Sequence, residues 1–414
     1  MTDKRFIIYI SIFIFCVSLL SKLISKHVPS AYMDEIFHIP QVQEYFKGNW
    51  KHWDPMITTP PGLYIVTVAF LKVLRMSGEE IFNLRLANAA FGVGILIVAR
   101  AICSNDPFGN ERALIIALLP NLFIFYGLYY TDCGSAFFVL LAYWALKRRR
   151  YLVFLLASIA SLGFRQTNII WTAVFCVADV ICDKVDGDLR VLWRRKCEFV
   201  KEFGLSAGLI GIFLIAVYLN GGSIVLGDKE SHASSLHLAQ FLYCFTFCFL
   251  LTWLLLIRSR MNFVLLVPLN VMCFVAIRFG TVVHRYLLAD NRHWTNFVWR
   301  RALSNETLRY SLTPFHSIAL LLISTALKES RGLLWTLGYF CTCAIVLIPS
   351  PLIEPRYYIL PLIFFLLNVP IKSKRAVYLQ ILCFMLVNLF IVGYFLYRPF
   401  TWPSEPTVLQ RRIW

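Results

Sequence analysis

Several short stretches of this chain gather side chains able to move a proton or hold a phosphate. One runs Tyr32-Met33-Asp34-Glu35-Ile36-Phe37-His38-Ile39-Pro40, and Trp53-Asp54-Pro55-Met56-Ile57-Thr58-Thr59-Pro60-Pro61-Gly62 follows it. If the first stretch is helical, Asp34 and His38 stand at i and i+4 on one face, where a carboxylate and an imidazole can act together. The plainer reading is that Asp34 caps a short interfacial helix and that Thr-Thr-Pro-Pro-Gly is a stiff turn. Acids clustered with aromatics beside a rigid turn tip the balance toward chemistry.

Further polar clusters are Tyr129-Tyr130-Thr131-Asp132, Arg165-Gln166-Thr167-Asn168, Gly227-Asp228-Lys229-Glu230-Ser231-His232, His284-Arg285 with Asp290-Asn291-Arg292-His293-Trp294, and Glu354-Pro355-Arg356-Tyr357-Tyr358. Guanidinium forks mixed with imidazoles suit a bound phosphate, whose oxygens they hold and whose leaving charge they neutralise. Singly, each arginine reads as a lipid-headgroup or snorkelling residue; collected on one face, they read as an anion pocket.

The elements that must position these groups are set by composition. Of 414 residues, 59% are hydrophobic, 16% aromatic and only 15% charged, against about 25% charge in a soluble domain. With a mean hydropathy of +0.67, the chain is expected to be an all-α polytopic membrane protein, a single integral-membrane domain over 1–414 with about 13 transmembrane helices. Apolar runs begin near Phe6, Leu84, Ala113, Cys133, Tyr151, Thr167, Phe203, Leu238, Asn262, Thr313, Leu333, Tyr357 and Ala376. The first follows Lys4-Arg5 as a signal peptide would, but its length and the absence of a small-residue cleavage site favour a retained span.

Net charge is +17, from 40 Lys and Arg against 23 Asp and Glu. The dense basic clusters at Lys147–Arg150, Arg194–Lys196, Arg258–Arg260, Lys328–Arg331 and Lys372–Arg375 all fall on one side, which the positive-inside rule makes cytoplasmic. The chemical clusters then face the other side. A first loop on that side spans 26–82 with the Asp34 and His38 stretch expected to carry the chemistry, and a second spans 284–312 with a basic cluster expected to hold an anion and the sequon Asn305-Glu306-Thr307, which fits a lumenal face. Parity forbids Gly62–Leu74 from crossing fully, so it is read as re-entrant or interfacial. Arg278 is the main candidate for an intramembrane charge.

The twelve cysteines lie mostly in apolar runs and behave as small hydrophobes, and Cys341-x-Cys343 lacks partners for a metal. No phosphate-cradling glycine loop, zincin pattern or nucleophile elbow occurs. Basic residues divided among loops exclude a nucleic-acid binder.

Taken together, the strings Tyr32 to Gln41, Trp53-Asp54-Pro55, Ile57 to Tyr64, Arg165 to Ile169, Leu288 to His293 and Glu354 to Tyr357 resemble the dolichyl-phosphate-glucose-dependent alpha-1,2-glucosyltransferase family of the endoplasmic reticulum. That family adds the last glucose to the lipid-linked oligosaccharide for N-glycosylation. The resemblance implies a GT-C glycosyltransferase in the endoplasmic reticulum membrane with a lumenal active site and no cofactor. Its donor is dolichyl phosphate glucose, its acceptor the diglucosylated dolichyl-diphosphate oligosaccharide, and membrane lipids surround it. The reaction inverts a beta-linked donor to an alpha-linked product and needs one general base. Asp34 is the expected base, with Glu35 or Asp54 as alternatives and His38 as orienting group. Arg165, Arg292, His293 and Arg356 are expected at the donor phosphate, and Tyr32, Asp132, Asp228, His232, Asp290 and Glu354 at other substrate contacts. Two competing readings are a polyprenyl-phosphate mannosyltransferase and a non-catalytic membrane partner such as a channel regulator; a pore would carry ionisable groups at mid-span.

Overall fold

The computed structural model describes residues 4–185, 188–229, 234–257 and 262–414. Two expected features, His232 and the Arg258–Arg260 cluster, lie outside the described residues. Each of the apolar runs named above folds as helix. Among the described residues, seven single helices have the length and hydropathy of a membrane span, and a bent pair, Pro120–Gly127 with Thr131–Lys147, would make an eighth. The chain is thus a multi-pass membrane protein; the remaining apolar helices among the described residues are shorter, so length and hydropathy alone establish seven or eight crossings of the expected 13 or so. Gly62–Leu74 is one of these: its 13 residues extend roughly 20 Å at 1.5 Å per residue, against a hydrocarbon core of about 30 Å.

The chain forms two compact units, Met1–Ala117 with Leu122–His232, and Leu118–Asn121 with Ala233–Trp414. In the first, α1 (Lys4–His27) packs on α4 (Ile81–Ile102), which packs on the Thr131–Lys147 helix. Between them lie α2 (Glu35–Phe46), which carries the first chemical stretch, and α3 (Gly62–Leu74). Basic residues Lys26 and His27 end α1, where they complement the helix dipole. Left-handed Arg75, φ 57°, ends α3. Asn88 on α4 donates to the carbonyls of Leu128 and Tyr130, 2.7 and 2.8 Å, and so satisfies the break before Thr131. Phe91 meets Phe138 and Phe164 edge-on at 5.9 and 5.5 Å, and Phe138 and Phe164 meet tilted at 5.4 Å, contacts worth about 0.5–1.5 kcal/mol each beyond burial.

In the second unit, the Leu238–Leu256 helix packs on Thr313–Arg331 and Lys374–Tyr397. Asn121 donates to the Pro355 carbonyl and Asn388 to the Leu118 carbonyl, both at 2.7 Å, stitching the Leu118–Asn121 segment into place. One element departs from the all-helical expectation. Phe400–Trp402 and Glu405–Gln410 form an antiparallel hairpin, turned at Pro403-Ser404; the first strand has only three residues and the second carries Pro406, so neither gives a clear strand signal in the sequence.

Candidate functional site

Met33 takes a left-handed φ of 53°, and the chain enters α2 directly behind it. Beyond this sharp entry, two adjacent carboxylates sit in different surroundings. Glu35 is fully buried and grips Arg85 of α4, with Nε to Oε1 at 2.9 Å and Nη2 to Oε2 at 2.6 Å. The backbone N–H groups of Tyr129 and Tyr32 donate to its two oxygens at 2.7 and 3.1 Å. Arg85 spends further donors on the Val28 and Ser30 carbonyls at 2.8 and 3.2 Å. A buried pair repays its desolvation only when the remaining lone pairs and protons are satisfied in this way.

Asp34 is half-buried, and its side chain makes no capping hydrogen bond to α2, so the plain capping reading does not describe it. Its backbone N–H donates to the Tyr130 hydroxyl at 3.3 Å. One turn on, the His38 N–H donates to the Asp34 carbonyl at 3.1 Å, which puts both residues on one face. Imidazole Nδ1 of His38 meets the Tyr64 hydroxyl at 2.7 Å, and its ring lies edge-on to Tyr130 at 6.4 Å. Tyr64 is itself walled by Tyr45 and Trp53 at 5.8 and 6.2 Å. His38 is therefore oriented by a tyrosine on a different helix, and Tyr32, whose ring is buried, anchors the turn through Glu35.

Asp54 does turn work. Its carboxylate accepts from the Met56 N–H at 2.8 Å, and its own N–H donates to Gln41 of α2 at 2.9 Å. Gln41 also donates to the His52 carbonyl at 2.8 Å, so one buried amide fixes the Trp53-Asp54-Pro55 corner against α2. The following Thr58 carbonyl accepts from Gln166 at 2.7 Å and from the Leu226 N–H at 3.3 Å. A Cβ on Gly227 would collide with the Pro55 and Ile57 carbonyls, and one on Gly62 would lie 2.5 Å from the Gly163 carbonyl carbon. These glycines let three backbones meet around the Thr-Thr-Pro-Pro turn. Asp228 follows Gly227 directly and is half-buried.

Each expected phosphate arginine is joined to a nearby acid. In the first unit, Arg165 reaches buried Asp132 at 2.7 Å, in the first turn of the Thr131–Lys147 helix. In the second, Arg292 forks onto Asp290, with Nε to Oδ1 at 2.9 Å and Nη2 to Oδ2 at 2.7 Å. Arg356 pairs with buried Glu354, its Nε 2.6 Å from Oε1. Burial would raise the Asp290 carboxyl, but hydrogen bonds from the Arg292 side chain and backbone outweigh it and hold the group below the usual carboxylate range. Trp402 stacks on the Arg292 guanidinium at 5.0 Å and donates to Asn291 at 2.8 Å. His293 Nδ1 lies 2.7 Å from the Trp414 carbonyl oxygen. The residues 290–293 are thus held by the hairpin and by Gln410–Trp414, a partnership between distant stretches that no local pattern announces. Among the described residues, no three His, Cys, Asp or Glu side chains converge as metal ligands.

Arg85 was not singled out by the sequence, and Gln41 and Tyr64 stood there only as the ends of family-like strings with no role of their own. Arg85 had a readable signal, a lone charge near the start of an apolar span, which needs a partner in lipid. Arg278, the charge singled out instead, stands in the last turn of the Leu266–Gly280 helix over the Phe279 ring at 5.7 Å.

The DIE2/ALG10 family model matches residues 28–367. A human protein named Dol-P-Glc:Glc(2)Man(9)GlcNAc(2)-PP-Dol alpha-1,2-glucosyltransferase is 32% identical over 98% of both chains. Proteins of the same name from Arabidopsis thaliana and Candida albicans are 30% and 33% identical, over 95% of this chain and 97% and 96% of their own. No solved structure matches. A family match across most of the chain, with relatives above 30% identity over nearly its whole length, places this protein in the DIE2/ALG10 family.

Proposed function

We propose that this chain transfers glucose from dolichyl phosphate glucose to the diglucosylated dolichyl-diphosphate oligosaccharide, forming an alpha-1,2 linkage on the lumenal side of the endoplasmic reticulum membrane. The observation that carries this reading is the near-full-length similarity to enzymes whose name states that reaction. Asp34 is the general base in this reading, taking the proton from the acceptor hydroxyl as the beta-linked donor is displaced with inversion. The two alternative acids of the motif have structural work of their own: Glu35 is locked in a buried ion pair with Arg85, and Asp54 closes a turn through the Met56 N–H. His38, aimed by Tyr64, orients the carboxylate or the acceptor.

Dolichyl phosphate leaves without a general acid once its charge is met. Arg165, Arg292, His293 and Arg356 serve there. Because each arginine is joined to a carboxylate, each pair is formally neutral, and its contribution is directional hydrogen bonding from a guanidinium held in a fixed plane. Asp132, Asp290 and Glu354 act by holding these arginines in place, Tyr32 anchors the turn at Asp34 through Glu35, and Asp228 lies beside the turn that closes the loop.

The decisive experiment is the lipid-linked oligosaccharide profile of cells lacking this protein. Accumulation one glucose short, reversed by the wild-type chain and not by Asp34→Asn, is the expected outcome; an unchanged profile would overturn the reading.

A further inference from the structure

Away from the polar loops, a cavity of about 150 Å³ opens between the end of the Leu238–Leu256 helix and the start of the Lys374–Tyr397 helix. Its walls are of two kinds. Leu254, Leu255, Ile257 and Leu379 supply apolar lining, and Lys372 and Arg375 supply basic lining. Both helices qualify as membrane spans, so the cavity sits at a membrane boundary, on the side that the basic clusters assign to the cytoplasm. Lys372 is anchored by Glu329 at the end of the Thr313–Arg331 helix, 2.5 Å away. Arg375 is exposed and has no ion pair or hydrogen bond among the described residues. Ser373 caps the Lys374–Tyr397 helix by accepting from the Ala376 N–H, so the positive end of a 24-residue helix also faces this corner.

The geometry points to a binding site for an anionic phospholipid. Its headgroup phosphate sits between Arg375 and Lys372, and the upper part of an acyl chain lies on Leu254, Leu255 and Leu379. A soluble phosphate would gain nothing from the apolar wall, and a zwitterionic lipid would bring a cation to a corner that already holds two basic side chains and a helix N-terminus. Basic recesses between spans on the cytoplasmic face fit acidic headgroups for this reason. The site is separate from every residue placed in the glucosyl-transfer machinery, so its failure and the failure of that reading are distinguishable.

The test is native mass spectrometry of the purified full chain in detergent, titrated with phosphatidylserine or phosphatidylcholine. Preferential retention of phosphatidylserine is expected, and Arg375→Gln should weaken it about five-fold, the share of one basic residue near an anionic surface. Arg375→Lys, which keeps the charge, should retain most of the binding, and Leu379→Gln should weaken it through the apolar wall. Equal retention of the two lipids, equal loss in the Gln and Lys variants, or full competition by inorganic phosphate at the lipid's own concentration would overturn the site. Turnover of each variant in phosphatidylcholine vesicles reports that it is folded.

Discussion

Glu35 and Arg85, fifty residues apart, meet as a fully buried bidentate pair at 2.6 and 2.9 Å, and the Tyr129 and Tyr32 backbones complete the carboxylate's shell. One position earlier in the chain, Asp34 is half-buried where Glu35 is fully buried. The pair therefore fixes where α2 begins and hence where Asp34 points. Removing one partner strands the other charge in an apolar interior, at a cost of about 3–5 kcal/mol. Arg85→Met or Glu35→Gln should lower thermal stability in detergent by that order and lose activity through unfolding. A Glu35→Gln variant of normal stability and no activity would instead make Glu35 the reacting acid.

Asp34→Asn should behave in the opposite manner. Asn keeps the size of the half-buried Asp34 side chain, so stability should change little, while loss of a positioned general base lowers turnover about 10²–10⁴-fold. Asp54→Asn keeps an acceptor for the Met56 N–H and should retain most activity. In vitro transfer rates at saturating donor separate the two; equal loss in both variants would remove the distinction between them.

The sequence made some of this legible and hid the rest for physical reasons. The spacing of Asp34 and His38 is local, and their shared helical face follows from it. The partners that aim them are long-range: Tyr64 and Tyr130 lie on other elements, and Arg85 is one arginine in an apolar run. The Arg165-Gln166-Thr167-Asn168 string shows the same limit. Its polarity is visible, but its division of labour is not: Arg165 pairs with Asp132, Gln166 holds the Thr58 carbonyl, and Asn168 donates to Ser135 and the Ser161 carbonyl. Helix positions were readable because hydropathy marks them. The crossing number was not, because bends and short helices carry the same apolar composition as spans.

Gly62 and Gly227 should tolerate no side chain. An alanine at Gly62 drives its Cβ into the Gly163 backbone, and one at Gly227 meets two carbonyls of the Pro55–Ile57 corner. Backbone cannot rotate away as a side chain can, so overpacking of about 1–3 kcal/mol is expected for each. The turn between Asp54 and α3 should shift with it. Gly62→Ala and Gly227→Ala are expected to lower thermal stability and transfer together, whereas Gly338→Ala, in open space, should do neither.

Asp290 gives the pH test. Its folded pKa lies below the ordinary value because Arg292 donates to its carboxylate, although burial alone would raise it. A depressed acid contributes stability that is fully present above its unfolded pKa, about 3.9, and that is lost as pH falls through the folded value. The pair also carries the stacked Trp402 and the Gln410–Trp414 segment. Asp290→Asn should therefore be less stable than wild type at pH 6, with the gap closing as the detergent-solubilised proteins are taken from pH 5 toward pH 3. At pH 6 it should also raise the donor KM more than it lowers kcat, because Arg292 loses its fixed plane. A gap independent of pH would show that Asp290 contributes by packing rather than by charge, and an unchanged donor KM would detach this loop from the phosphate.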